Sequence, residues 1–173
     1  MDEIWIRYWY INAKKMKDRS EKMIKGLYEA HLPVSNISKS IEFYRGLGME
    51  LAIKYEKTAF FWIVKNESWL GLWECEQVQF SYHPSIRHIA FRVDLEDLKN
   101  AKTWLEKRGI EMREEFGFKP LEPIVMPDQT HAMVYFHDPD GNSLEFICKL
   151  PSKPEDKSMM YLSDWERYLK NKN

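Results

Sequence analysis

Superposing Val34 on Val93 aligns Glu29-Ala30-His31-Leu32-Pro33-Val34 with His88-Ile89-Ala90-Phe91-Arg92-Val93. Each run is followed by an amide or acidic residue and then by a stretch of helical period. Self-similarity of this kind restricts a chain to architectures assembled from two copies of one supersecondary unit. In this register Glu29 is the counterpart of His88, and His31 lies two residues further along the same strand face.

The punctuation around the two runs gives each unit its order. Leu27 to Val34 reads as a strand and Ser35-Asn36 as a turn and cap. Ile37 to Arg45 follows as a helix with Ile37, Ile41 and Tyr44 on one face, and Gly46-Leu47-Gly48 is its stop. Met49 to Glu56, Thr58 to Val64 and Ser68 to Cys75 have strand composition. In the second unit Ser85 to Val93 is a strand. Asp94 to Arg108 is a helix, with Asp94 as cap, Asp97 three residues on and Gly109 as stop. Ile110 to Phe118 is expected to be the next strand. A loop of about a dozen residues holding Pro120, Pro123 and Pro127 then leads into a hairpin; loops of that length in a compact domain are usually functional or disordered.

The hairpin carries the most informative side chain. Met133-Val134-Tyr135-Phe136 and Leu144-Glu145-Phe146-Ile147-Cys148 are strands joined through Asp138-Pro139-Asp140-Gly141, where proline presets one backbone angle and glycine accepts the positive φ. Alternation puts Glu145 on the face opposite Leu144 and Phe146. With those two packed on a helix, the carboxylate enters whatever the other face encloses, where it needs a donor, a base or a metal.

The flanks are simpler. Residues 1–25 read as an appended helix or arm whose stripe Ile4, Trp5, Tyr8 and Trp9 has helical spacing. Residues 150–173 form a linker and then a helix opened by the capping box Ser163-Asp164-Trp165-Glu166. Between them, 26–149 make one paired domain with units at 26–77 and 84–149.

Charge and composition remove several function classes. The 26 basic and 27 acidic residues leave a net charge of −1 and form no long run, which excludes a general nucleic-acid binder. No segment approaches the roughly 18 apolar residues of a membrane span, and the N-terminus lacks the apolar core of a secretory leader, so a cytoplasmic location is expected. Cys75 and Cys148 lack metal spacing and are expected to be buried free thiols. Seven tryptophans among 173 residues suit a pocket as well as a core.

Three motifs in order resemble the vicinal oxygen chelate superfamily, which includes glyoxalase I, fosfomycin-resistance thiol transferases, bleomycin-resistance proteins and extradiol dioxygenases. They are His31-Leu32-Pro33-Val34-Ser35-Asn36 through Ser40-Ile41-Glu42-Phe43-Tyr44, then Arg87-His88-Ile89-Ala90-Phe91-Arg92-Val93, then Tyr135-Phe136-His137-Asp138-Pro139-Asp140-Gly141-Asn142-Ser143-Leu144-Glu145-Phe146. The resemblance covers about residues 26 to 149. It implies an α+β fold of two βαβββ modules whose curled mixed sheets enclose a cavity around one divalent metal, with helical segments added at both ends.

Carried over by position, the resemblance makes His88 and Glu145 metal ligands. The first-module ligand position falls on Glu29, with His31 as its alternative; whichever does not ligate is the general base. A fourth ligand position falls on Gly71, or on Leu72 after a shift of one, and neither can ligate. Imidazole with carboxylate suits Zn²⁺, Ni²⁺, Mn²⁺ or Fe²⁺. Trp62, Trp69 and Trp73 are expected to wall a substrate pocket, with His131 and Tyr135 as polar donors. His83 and His137 are expected at the surface.

The implied activity is that of a glyoxalase-like lyase or isomerase acting on a small oxygen-rich molecule through two coordinated oxygens. A fosfomycin-type thiol transferase and a metal-free sequestering protein of the bleomycin-resistance kind are the alternatives. An extradiol dioxygenase would require His31 in place of Glu29. Modules of this kind commonly pair across two chains, so a homodimer is the expected assembly.

Overall fold

The computed structural model describes residues 26–76, 78 and 86–172. The expected arm at 1–25, His83 and the first residue of the strand expected from Ser85 lie outside this range.

The first half runs β1 (Glu29–Val34), α1 (Ile37–Gly46), β2 (Glu50–Lys54), β3 (Thr58–Val64) and β4 (Ser68–Glu74). Its sheet has the order β1-β4-β3-β2, with β1 parallel to β4 and the other pairs antiparallel. The second half runs β5 (His88–Arg92), α2 (Leu95–Glu106), β6 (Ile124–Met126), β7 (His131–His137) and β8 (Ser143–Lys149), followed by β9 (Met160–Tyr161) and α3 (Leu162–Lys172). Its sheet repeats the arrangement as β5-β8-β7-β6, again with the first strand parallel to the last, and β9 is added at the edge. The chain is α+β, as the sequence implies.

Local chemistry sets these boundaries. Asn36 accepts from Lys39 N at 2.9 Å, and Glu74, at the end of β4, accepts from Ile37 N at 2.8 Å, so two side chains satisfy the first turn of α1. Ile37, Ser40, Ile41 and Tyr44 are the buried face of α1. They pack on Leu32, Val34, Ala59, Phe61, Leu70 and Leu72, and the same core continues into Leu105, Ile110, Phe136 and Leu144 of the second half. A second core gathers Leu98, Val125, Val134, Leu162 and Trp165, so α3 is packed against the second sheet by its buried tryptophan. Among the described residues no helix is long and apolar enough to cross a membrane.

Four local expectations need correction. Residues 110–118 form no strand: Phe116 and Gly117 adopt φ of 52° and 78°, which turns the chain back so that Glu115 pairs with Phe118 and only Met112 bridges to Phe136. The ladder position is taken by Ile124–Met126, inside the expected loop, where Pro123 and Pro127 bracket three apolar residues. Asp94 stands at the N-cap of α2 without a side-chain capping bond. Ser163 lies inside α3, and its N–H and hydroxyl donate to the Glu122 carboxylate at 3.0 and 2.8 Å, so the helix is capped from another loop. Finally, Cys148 is buried but Cys75 is exposed, because β4 ends one residue before it.

Candidate functional site

The turn expected at Asp138–Gly141 forms, with Gly141 at φ 76° and its N–H donating to Asp138 O at 3.0 Å. Asp138 does more than open the turn. Its buried carboxylate accepts from Asp140 N at 2.9 Å, Asn142 N at 2.8 Å, Asn142 Nδ2 at 2.6 Å and the Tyr44 hydroxyl at 3.0 Å. Asn142 also receives Arg87 Nε at 2.6 Å and donates to Pro33 O at 3.1 Å. The hairpin tip is thereby fastened to α1 and β1, which fixes where β8 begins.

β8 runs between β5 and β7. Ser143 is level with His88 and His137, and Glu145 with Ala90 and Tyr135, so all six residues occupy one face. On that face His88 Nε2 meets Glu145 Oε2 at 3.0 Å, and His88 Nδ1 lies 3.1 Å from Ser143 Oγ. Glu145 is 4% exposed, and its second oxygen, Oε1, is buried with no hydrogen-bond partner. Burial holds the Glu145 carboxyl above its usual range, against the opposing pull of His88 and Tyr135. Burial and the Glu145 carboxylate likewise raise the Tyr135 phenol, whose hydroxyl lies 3.2 Å from Met133 Sδ. Arg113 completes the group: it donates to Ser143 Oγ at 2.8 Å, pairs with Glu115 and lies over the Tyr135 ring at 5.1 Å.

A lone buried polar atom costs about 1–3 kcal/mol, more when charged. Oε1 of Glu145 is therefore the point in this group that favours a cation, and a neighbouring imidazole is a common companion ligand. The donor chemistry of His88 and Glu145 fits a divalent metal.

On the first sheet the Glu29 and His31 positions share a face with Trp69, Gly71 and Trp73, with Glu29 level with Trp69 and His31 level with Gly71. Glu29 accepts from Trp69 Nε1 at 2.8 Å and lies 3.5 Å from His31 Nε2. The imidazole of His31 lies over Gly71: a β-carbon at that position would fall 2.5 Å from its Cδ2. Trp62 stacks on Trp69 at 5.1 Å and 24°, and Trp73 lies 5.5 Å from His31, so the three tryptophans and His31 form one aromatic face. Leu72 points the other way, into the core.

The expected residues thus fall into two pairs, Glu29 with His31 and His88 with Glu145. Among the described residues no group of three or more His, Cys, Asp or Glu side chains is gathered for a metal, so the four expected ligands do not meet within one chain. Tyr135 adjoins Glu145. His131, on the same strand face, is four residues away, about 13 Å along β7, and is level with Lys149. His137 is exposed, as expected. A cleft of about 850 Å³ between the halves is lined by Trp62, Phe91, Trp104 and Phe146, and neither pair lines it. Ser143 and Arg113 are the site residues that sequence reading missed. Ser143 was signalled by its spacing of two from Glu145, whereas Arg113 falls where a regular strand was expected.

The family model described as Glyoxalase/Bleomycin resistance protein/Dioxygenase superfamily matches residues 26–146. Among curated relatives, the metallothiol transferase FosB of Staphylococcus haemolyticus is 33% identical over 129 residues, covering 71% of this chain and 83% of the relative. Among solved structures, an integron cassette protein from the Halifax Harbour sewage outfall metagenome matches with a TM-score of 0.53 and 27% identity, over 72% of this chain and 99% of that one. The fosfomycin resistance protein FosX of Listeria monocytogenes shares the fold, with a TM-score of 0.55 and 23% identity over 73% of this chain and 94% of its own.

Proposed function

The chain belongs to the glyoxalase/bleomycin resistance protein/dioxygenase superfamily, and we propose that it is a metal-dependent transferase that adds a thiol to a small oxygen-rich electrophile. The observation that carries the metal is Glu145, a buried carboxylate with one oxygen on His88 and the other without a partner. The reaction class is supported by the curated relatives named metallothiol transferase.

His88 and Glu145 hold the cation in this reading, and a second copy of the chain brings Glu29 or His31 to it. That assembly is supported by the open aromatic face on which Glu29 and His31 sit and by the distribution of the four residues as two separate pairs. Glu29 as a third ligand gives a carboxylate-rich set suited to Mn²⁺ or Fe²⁺, and His31 in its place suits Zn²⁺ or Ni²⁺ as well. A divalent cation there supplies Lewis-acid stabilisation for negative charge developing on a substrate oxygen.

The protein's own groups do the rest. Whichever of Glu29 and His31 does not ligate accepts the thiol proton. The sulfur then forms a bond to carbon as a carbon–oxygen bond breaks, and the released oxygen takes up a proton from solvent. The Tyr135 phenol keeps its proton, because burial and Glu145 raise it, and serves as a hydrogen-bond donor rather than an acid. The tryptophans exclude water from one side.

The test uses metal-stripped protein loaded with Mn²⁺, Fe²⁺, Ni²⁺ or Zn²⁺, assayed for loss of free thiol against small epoxides, beside His88→Ala and Glu145→Gln. The proposal expects one metal per site and metal-dependent thiol consumption, both lost in the two variants. Turnover without thiol consumption would return the reaction to the lyase or isomerase class. Tryptophan quenching by ligand that survives chelation, with no metal bound, would overturn the reading in favour of a sequestering protein, which the aromatic face would also suit.

A further inference from the structure

We propose that Arg113 is a positioning residue for His88, acting through Ser143; the inference rests on the metal reading above but has a readout in metal-free protein. Ser143 is 3% exposed and is level with His88 on the adjacent strand. Its hydroxyl has one proton to donate and two lone pairs to accept with. Arg113 Nη2 occupies one lone pair at 2.8 Å, leaving the proton and the second lone pair for His88 Nδ1 at 3.1 Å.

The direction of the His88–Ser143 bond follows from what the other ring nitrogen does. An ionised carboxylate only accepts, so with Glu145 Oε2 at 3.0 Å from Nε2 the proton of a neutral ring sits on Nε2. Nδ1 then accepts from the Ser143 hydroxyl. Donors run in one direction, from the Arg113 guanidinium through Ser143 and His88 to the Glu145 carboxylate, an arrangement in which each bond polarises the next.

Ligation of a cation by Nε2 requires the proton on Nδ1 instead. Ser143 accommodates this by turning its proton away and accepting from Nδ1–H with its free lone pair. Arg113 donates in both states, so it holds the oxygen in place while the bond to His88 reverses. A residue able only to donate or only to accept at position 143 would hold the ring in one state alone. Arg113 is itself anchored by its ion pair with Glu115, by its backbone N–H to Tyr135 O at 2.8 Å and by the Tyr135 ring beneath it.

The experiment compares wild type with Ser143→Ala, Arg113→Met and Arg113→Lys, using ¹⁵N chemical shifts of the His88 ring with and without Mn²⁺-mimicking diamagnetic Zn²⁺, metal titrations, and thermal unfolding as a fold control. Metal-free wild type is expected as the Nε2–H tautomer and the Zn²⁺ form as Nδ1–H. Ser143→Ala and Arg113→Met are expected to bind Zn²⁺ at least about tenfold more weakly and to shift the metal-free ring signals, with partial rescue in Arg113→Lys. Wild-type affinity in Ser143→Ala or Arg113→Met overturns the proposal. So do metal-free His88 ring signals that are the same in wild type, Ser143→Ala and Arg113→Met. If wild type binds no metal, the metal reading fails by itself. The positioning role then stands or falls on whether the two variants alter the metal-free ring signals.

Discussion

Tyr44 and Asp138, 94 residues apart, meet in the core, with the phenol donating to Oδ2 at 3.0 Å. This bond ties the helix of the first half to the turn that delivers Glu145 in the second. Tyr44→Phe removes one donor and leaves Asn142 still bonded to the same oxygen. A loss of about 1–2 kcal/mol in urea unfolding is expected, together with faster amide exchange at Asn142 and Ser143. Unchanged exchange at the turn would show that the tie does not position β8.

Two buried carboxyls make the metal-free protein sensitive to pH in an unusual direction. Asp138 and Glu145 are both raised, each chiefly by burial. A raised carboxyl binds its proton more tightly in the folded state, so its contribution is full below the unfolded value of about 4 and is lost as pH rises through the folded value. The urea midpoint of chelated protein should therefore decline as pH climbs above about 4. An increase over that interval would contradict it.

Glu145→Gln separates stability from function. The amide keeps the shape and removes the buried charge, so the metal-free variant should unfold at a midpoint equal to or a few degrees above that of wild type, with a shallower decline in pH. Adding metal should raise the midpoint of wild type alone. A variant still stabilised by metal would remove Glu145 from the ligand set.

The last helix depends on a carboxylate borrowed from a loop. Glu122→Ala deprives Ser163 of both of its bonds and should cost about 1 kcal/mol, in the range of a lost N-cap. Hydrogen exchange should report fraying confined to the first turn of α3. Protection unchanged at residues 162–165 would mean that Trp165 packing alone holds the helix start.

Where sequence signals were local and redundant, they were legible. The repeat, the Asn36 cap, the glycine stops and the Asp138–Gly141 turn each had chemistry that selects one conformation, and the α+β order followed from them. The exchange of residues 110–118 for 124–126 in the ladder was not legible. Arg113, Glu114 and Glu115 interrupt the apolar alternation, and a non-glycine residue, Phe116, enters the left-handed region at the turn, while three apolar residues between prolines look like loop. At the site, strand parity placed Glu145 on the enclosed face, and the resemblance to the superfamily paired it with His88. Arg113 could not be placed, because its approach to Ser143 depends on an irregular segment whose path is set by a backbone bond to Tyr135.

The close approach of His31 to Gly71 also constrains how this sequence can change. A β-carbon at position 71 would sit 2.5 Å from the imidazole Cδ2, 3.0 Å from Nε2 and 3.1 Å from the Phe60 ring. Any side chain there, including one able to bind a metal, collides with His31 as long as the imidazole keeps its place. The two positions are therefore coupled. A variant altered at 71 first displaces the imidazole from its place against Glu29 and the tryptophans, whereas one that first replaces His31 with a smaller residue relieves the closest of these contacts. A library randomised at both positions should recover side chains at 71 together with either a smaller residue at 31 or a histidine turned out toward solvent, so the glycine and the present pose of the imidazole are selected as a pair.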